Sequence, residues 1–266
     1  AQFDAAAESF RRGLALAPGE TALIALLVQA LERSACGPEA RALVDRLRSE
    51  RPDDADLAVI DARLWFRSGD VPRARVLLQA VLAQQPTHLG ANLQLATIIG
   101  NSDRAAVNAA LERAVAAHPQ SFEALERLVE SLSRSRHGHE ADHVERSYQL
   151  ARHLMDRFPS RLPEAARTLR TIFMRVLDED RMALTGKLPD LLRLWQAEGL
   201  HSSVHYELGQ VQSAEDRLAL VDWHRHWGQK ISARITPVVP HAAPALSTGR
   251  RLRIGFMSSD LRHHPI

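Results

Sequence analysis

The stretch VIDARLWFRSGDVPRARVLLQAVLAQQP, from Val59 to Pro86, carries the pattern that decides the fold. Its first half holds an aromatic residue, Trp65, followed after one helical turn by a glycine, Gly69. Its second half places a small side chain, Ala74, twelve residues before the closing proline. The stretch therefore predicts two helices that are joined at Gly69, cross closely at Ala74 and end at Pro86.

The same spacing recurs along the first half of the chain. Pro18, Pro52 and Pro86 are each 34 residues apart, and Pro119 follows after 33. Alanine stands twelve residues before three of these prolines, and a larger apolar side chain stands eight before all four, at Phe10, Val44, Leu78 and Leu111. A period of 34 resembles that of tetratricopeptide (TPR) repeats, in which a pair of antiparallel helices is closed by a proline.

The repeat pattern predicts an all-α TPR solenoid over residues 1–158. Its first unit, AQFDAAAESFRRGLALAP, is a second helix without a partner, so we expect the chain to begin within a repeat. Its last unit is irregular, because Pro159 follows Pro119 by 40 residues. The extra residues fit an insertion in SRSRHGHEAD, between a helix near 121–134 and one near 140–157.

The 34-residue period is lost after residue 158, but helix signals continue. We therefore predict a helical connector over residues 159–234. Pro163 suits the first turn of a helix, and KLPDLLRLWQAEG reads as an amphipathic helix that stops at Gly199. Ser213 and Asp216 have the spacing of a capping box. A proline-rich linker at 235–249 then precedes a different kind of segment at 250–266.

Composition excludes several classes of function. With 45% hydrophobic and 25% charged residues, the chain is expected to be globular, and Cys36 alone allows no internal disulfide. A cytoplasmic location fits this cysteine usage. The net charge of +2 comes from interspersed signs, which argues against nucleic acid as a partner. No apolar run approaches the roughly eighteen residues that span a membrane.

The closing stretch RLRIGFMSSDLRHHPI, from Arg251 to Ile266, predicts a short buried strand followed by a loop. In open α/β sheets, ligands bind where such loops leave the carboxyl ends of strands. By that rule Ser258, Asp260, His263 and His264 would stand at the mouth of a site. One strand cannot form a sheet, so we expect a further domain to follow.

A TPR array, a connector and this strand together resemble the bacterial TPR-containing protein O-GlcNAc transferases, which are UDP-N-acetylglucosamine–peptide N-acetylglucosaminyltransferases of the SPINDLY-like kind. Their catalytic region opens with [LI]-R-[IV]-G-[YF]-[VM]-S-x-D-[FL], followed shortly by H-P. The matching residues are Leu252, Arg253, Ile254, Gly255, Phe256, Met257, Ser258, Asp260, Leu261, His264 and Pro265.

The resemblance implies that residues 250–266 open a truncated GT-B domain. The full-length parent would be an inverting enzyme that transfers N-acetylglucosamine from UDP-GlcNAc to protein Ser or Thr, with no metal and no cofactor. It also implies that His264 is the catalytic-site residue and that protein or peptide acceptors bind the TPR groove. Because most of the catalytic domain is absent, we expect this segment alone to be inactive.

Other interpretations stay open beside this one. A non-catalytic TPR scaffold that binds peptides or partner proteins is the alternative, a nucleic-acid-binding repeat is less favoured, and homodimerisation is undecided. Related animal enzymes carry asparagines along the TPR groove where this chain has Leu26, Ile60 and Gln94, which weakens the case for that mode of peptide capture. His201 and His205 are spaced as metal ligands on a helix can be, but no third ligand is evident.

Overall fold

The structure is a computed structural model that describes residues 2–199, 209, 211–233 and 235. Within these residues it is helical, with no β-strand. The helices are α1 (Gln2–Leu16), α2 (Thr21–Arg33), α3 (Gly37–Glu50), α4 (Ala55–Arg67), α5 (Val71–Gln84), α6 (Leu89–Ile99), α7 (Arg104–Ala117), α8 (Phe122–Ser133), α9 (Glu140–Arg157), α10 (Leu162–Val176), α11 (Glu179–Leu184), α12 (Leu188–Glu198) and α13 (Ala214–Ser232).

Local chemistry explains the pair α4 and α5. The side chain of Asp54 accepts a hydrogen bond from the Leu57 amide and so caps the start of α4. Gly69 has φ 94°, a left-handed conformation that suits glycine and turns the chain back between the two helices. Asp70 then caps α5 by accepting from the Arg73 amide. The predicted helix pair is confirmed.

The interior repeats with the same period. In the second helix of each pair, the small residues Ala40 and Ala74 and the larger Val44 and Leu78 are fully buried. A side chain larger than methyl at the alanine positions would collide with the helix that crosses there. In α1, Ala7 is buried and the expected Ala6 is half-buried against the same apolar cluster.

The irregular fourth unit has the predicted form, because α8 and α9 flank a connection at 134–139. A buried network ties this connection to the preceding repeat. The Asn108 amide donates to the Ser135 hydroxyl at 2.8 Å and accepts from the Ser131 hydroxyl at 2.6 Å. Since every member has a partner, the insertion is accommodated without an unpaired polar group in this network.

Beyond residue 158, α10 packs against both α8 and α9. Its Leu169, Ile172 and Phe173 are fully buried in the same apolar cluster as Leu125 and Leu128 of α8. Thus α10 takes the place that the first helix of a further repeat would have. The proposed boundary between array and connector at residue 158 stays a prediction.

A separate apolar cluster joins the remaining helices. Trp195 of α12 and Trp223 of α13 are buried in it, together with Ala166 from α10. Gly199, with φ 76°, ends α12, and Ser213 and Asp216 form the predicted capping box at the start of α13. These start and stop signals are therefore confirmed.

Two predicted segments lie outside the described residues, apart from residue 235: the proline-rich linker at 235–249 and the strand and loop at 250–266. The expected GT-B strand is thus neither confirmed nor contradicted. Among the described helices, none is long and apolar enough to cross a membrane.

The carboxyl group of Glu126 lies at the contact between α8 and α10. The Thr168 hydroxyl donates to it at 3.3 Å. Burial between the two helices raises the pKa of Glu126, and the neighbouring carboxylates Glu130 and Glu123 act in the same direction. The Thr168 hydrogen bond and the nearby Arg167 oppose the effect without cancelling it.

We expect the substitution Ala74→Leu to lower the free energy of unfolding by about 1–3 kcal/mol, because it forces a larger side chain into a filled helix crossing. Urea unfolding followed by circular dichroism measures the change. Ala83→Leu, an exposed position on the same helix, is the control and should stay within about 0.5 kcal/mol of the unsubstituted chain. Equal effects of the two substitutions would contradict the close crossing at Ala74.

We expect Glu126→Gln to stabilise the fold at neutral pH. The pKa of Glu126 is higher in the folded than in the unfolded chain. The free energy of unfolding that Glu126 contributes therefore falls as the pH rises from the unfolded-state pKa through the folded-state pKa. The glutamine amide does not ionise, and its oxygen can still accept the Thr168 hydrogen bond. The melting temperature of Glu126→Gln should therefore decline less between pH 4 and 8 than that of the unsubstituted chain. Glu145→Gln, at an exposed carboxylate of α9 that does not act on Glu126, is the control.

Candidate functional site

The first helices of successive repeats lie side by side and form one face of the array. α2 contacts α4, α4 contacts α6, and α8 contacts α10, while Arg127 bridges α8 to α6. In solenoid proteins, the regular stacking of repeats creates extended binding surfaces of this kind. We call it the first-helix face, and it is the candidate binding surface.

The first-helix face contains a depression of about 310 Å³ that is shared by α2, α4 and α6. Its lining is mixed, with small and apolar side chains beside one arginine, one carboxylate, one amide and one hydroxyl. The lining residues are Thr21, Ala22, Ala25, Asp56, Val59, Ile60, Arg63 and Gln94. An apolar floor with a few polar groups is the usual composition of a recognition site.

The three positions compared with the asparagine ladder lie on this face. Ile60 is buried in the floor of the depression, Gln94 is half-buried at its edge, and Leu26 is 42% exposed on α2. Of the three, Gln94 alone has a side-chain amide. The surface thus offers a bound polypeptide apolar contact and one amide at these positions.

Arg63 is the basic residue that lines the depression, and Asp56 is the acidic one. One terminal guanidinium nitrogen donates to the Ala25 carbonyl oxygen at 3.3 Å, whereas Nε is buried and has no hydrogen-bond partner. Burial lowers the pKa of the Arg63 guanidinium; Glu32 opposes this effect, and Arg67 adds to it. Glu32 itself pairs with Arg67 at 3.0 Å. Arg63 is therefore a cation with unused hydrogen-bonding capacity.

Arg127 on α8 shows the same arrangement with its hydrogen bonds completed. It donates to the Leu93 carbonyl at 2.9 Å and to the Thr97 hydroxyl at 2.7 Å, and it lies 3.5 Å from the Glu123 carboxylate. Both arginines reach from one first helix to a carbonyl of the preceding one. Within the part of the chain that is described, Arg127 has three protein partners and no buried nitrogen that lacks one, so of the two Arg63 is better placed to bind a ligand.

The charge on the first-helix face changes towards its far end. On α8, Glu130 lies 3.1 Å from both Arg134 and Arg167, and Glu126 accepts from Thr168. This end of the face is thus occupied by acidic groups that already have partners. The α2–α6 end has the open depression and the incompletely paired Arg63.

The candidate site residues predicted from the sequence lie outside the described residues. They are His201, His205, Ser258, Asp260, His263 and His264. On α13, the imidazole of His224 contacts the Trp223 ring edge to face at 5.6 Å, whereas His226 is exposed. In the described part of the chain, no group of three potential metal ligands comes together.

Sequence reasoning missed Arg63 and Arg127. Almost all basic residues of this chain are arginine, and their signs alternate with those of acidic residues throughout. Nothing in that pattern separates an arginine that has a carboxylate partner from one that has none. The available signal was positional: both arginines stand on the first helix of a repeat, on the side that faces the preceding repeat.

Comparison with known proteins identifies the architecture. No protein-family model matches the chain, and no curated protein matches it. Among solved structures, yeast Tom70 aligns at a TM-score of 0.54 and 13% identity, over 87% of this chain and 45% of that one. A tetratricopeptide repeat protein from Parabacteroides merdae ATCC 43184 aligns at 0.52 and 12% identity, over 85% of this chain and 86% of that one.

These identities are low, so the likeness concerns the fold. The chain spans less than half of the length of the Tom70 chain but most of the Parabacteroides protein. Taken with the 34-residue period and the paired helices, the alignments show that the described helical array has the fold of tetratricopeptide-repeat proteins.

Proposed function

We propose that this chain is a protein-binding scaffold that holds a polypeptide segment of a partner against the first-helix face. The observation that carries the proposal is Arg63, which lines a depression of about 310 Å³ and whose Nε is buried without a partner. Because this nitrogen is shielded from solvent, the side chain turns when its N–H donates to a bound segment. A backbone carbonyl or a side-chain carboxylate of a bound segment would complete its hydrogen bonds. Ala25, Val59 and Ile60 supply apolar contact around it.

In the free chain, the hydrogen bond that Arg63 Nε could donate is not made. A buried donor without an acceptor costs the folded state its full desolvation energy, about 1–3 kcal/mol. A ligand that accepts from Arg63 recovers that energy on binding. Arg127 offers no such gain, because Leu93 and Thr97 already accept from it. We therefore expect binding to centre on the α2–α6 part of the face.

The test uses peptides selected from a phage-displayed random library on the chain. Ala22→Trp adds bulk at an exposed position in the depression, and Arg63→Gln removes the charge. Both should weaken peptide binding about tenfold or more by fluorescence anisotropy. Ala116→Trp on α7 and Arg75→Gln on α5, both at exposed positions of second helices, should leave it unchanged.

Two results would overturn the proposal. One is a library that yields no binder to the folded chain. The other is a set of binders whose affinity ignores Ala22→Trp and Arg63→Gln alike. Thermal unfolding of each variant shows whether a loss of binding reflects a blocked depression or a disrupted fold.

A second proposed function rests on the sequence match over residues 252–265. In it the array serves a cytoplasmic O-GlcNAc transferase and presents Ser or Thr acceptors to a catalytic domain that opens at residue 250. The donor would be UDP-GlcNAc and the active-site histidine His264. Its support is the motif alone, since those residues lie outside the described part of the chain.

The enzyme proposal requires the natural full-length protein, incubated with a panel of UDP-sugars and its acceptors. We expect transfer of N-acetylglucosamine, measured by mass spectrometry, to fall by at least about a hundredfold in His264→Ala, as expected when a group acting in proton transfer is removed. His263→Ala is the matched neighbour and should retain activity. Equal rates in the two variants would refute the role of His264, and a natural chain without a following sugar-nucleotide domain would refute the enzyme.

A further inference from the structure

A second surface lies on the opposite side of α2, between the second helices α1 and α3. It is a groove of about 720 Å³, and we call it the α1–α3 groove. Leu14, Leu43 and Leu47 form its walls, and Ile24 and Leu27 of α2 lie at its base. The residues of α2 that line it differ from those that line the first-helix depression, so the two surfaces are distinct.

The next repeat has an equivalent groove that is nearly closed. Between α3 and α5 the space shrinks to about 90 Å³. Corresponding lining residues stand 34 positions apart, for example Pro18 and Pro52, Leu43 and Leu77, and Leu47 and Val81. A comparison of the two grooves therefore shows what fills this space one repeat later, between α3 and α5.

The occupant of the α3–α5 groove is the side chain of Arg48. Its guanidinium donates to the Pro52 carbonyl at 2.6 Å and to the Asp54 carbonyl at 3.2 Å. It also lies 4.0 Å from the Asp61 carboxylate. The aliphatic stem of an arginine can lie along apolar side chains while its charged end reaches polar groups at the rim.

In the α1–α3 groove the equivalent residue is Leu14, which cannot reach or bond the loop carbonyls. Among the described residues, no side chain donates to the carbonyls of Pro18 or Glu20, which correspond to those of Pro52 and Asp54. Leu27 stands where Asp61 stands in the next repeat, and the carboxylates that line this groove are those of Glu39 and Glu50. Glu39 is paired with Arg11 at 2.5 Å. Glu50 pairs with Arg46 loosely, at 3.9 Å.

We propose that the α1–α3 groove binds a segment of another protein that inserts an arginine from an apolar surface, in the place that Arg48 fills one repeat later. The stem of that arginine lies on Leu14, Leu43 and Leu47. Its guanidinium donates to the carbonyls of Pro18 and Glu20 and pairs with Glu50. Flanking apolar residues of the segment cover the remaining volume. Arginine is favoured at such anchoring positions in protein interfaces.

The proposal does not depend on the function proposed for the first-helix face. The test therefore uses variants that leave Ala22 and Arg63 untouched. The probe is a phage-displayed library of helical peptides with one randomised face, selected on the chain. Leu14→Arg places an arginine of the chain itself at the position equivalent to Arg48, and its side chain should fill the groove. Leu16→Arg makes the same change two residues away, at a side chain that is 90% exposed and does not line the groove.

We expect a class of peptides that binds the unsubstituted chain and Leu16→Arg but not Leu14→Arg. These peptides should share an arginine at one position between apolar residues, and its replacement by glutamine should weaken binding about tenfold. Ala42→Trp fills the groove from an exposed position and should abolish binding if Leu14→Arg proves unstable.

Three outcomes overturn the proposal. Peptides whose binding ignores both Leu14→Arg and Ala42→Trp do not occupy the groove. Peptides that depend on the groove but show no preference for arginine refute the assigned chemistry. Self-association of the unsubstituted chain that Leu14→Arg abolishes, measured by sedimentation, would identify a second copy as the occupant in place of another protein.

Discussion

The close crossing of two helices at a residue no larger than alanine is the constraint on which the rest of the structure depends. Ala40 and Ala74 have no exposed surface, and the larger Val44 and Leu78 one turn further along are buried between repeats. One small and one large position recur together every 34 residues, so each helix pair presents a similar shape to the next. The stacking places the first helices of the repeats side by side, and with them the candidate binding face.

Guanidinium groups are the second recurring element, and they act at the joints between repeats. Arg127 and Arg63 each donate to a carbonyl of the preceding first helix, and Arg48 closes the groove between two second helices. At both proposed binding surfaces one side of such a hydrogen bond is missing. Within the ranges that the structure describes, Arg63 has a donor, Nε, without an acceptor, and beside Leu14 the carbonyls of Pro18 and Glu20 have no arginine that donates to them. In each case the ligand chemistry follows from the group that is missing.

The TPR fold and the glycosyltransferase proposal stand on different evidence. The repeat appears in the sequence period, in the helix pairs and in the alignment with solved TPR structures. The enzyme proposal comes from a motif of about one strand and one loop, which lies outside the described residues. A scaffold that binds polypeptides is compatible with both a free-standing adaptor and the substrate-binding part of an enzyme.

By itself the sequence determined the helix pairs, the insertion before α9, the start of α10 at Pro163, and the caps at Gly199 and Ser213, because proline, glycine and capping residues act on the backbone within a few positions. How far Ala6 and Ala7 are buried depends on the contact between helices. Only the tertiary structure decided the pairing of Arg63 and Arg127, because the carbonyls that accept from them lie on helices 38 and 34 residues earlier in the chain. The carbonyls that accept from Arg48 are four and six residues away, but the open groove at Leu14 exists only where the helices pack.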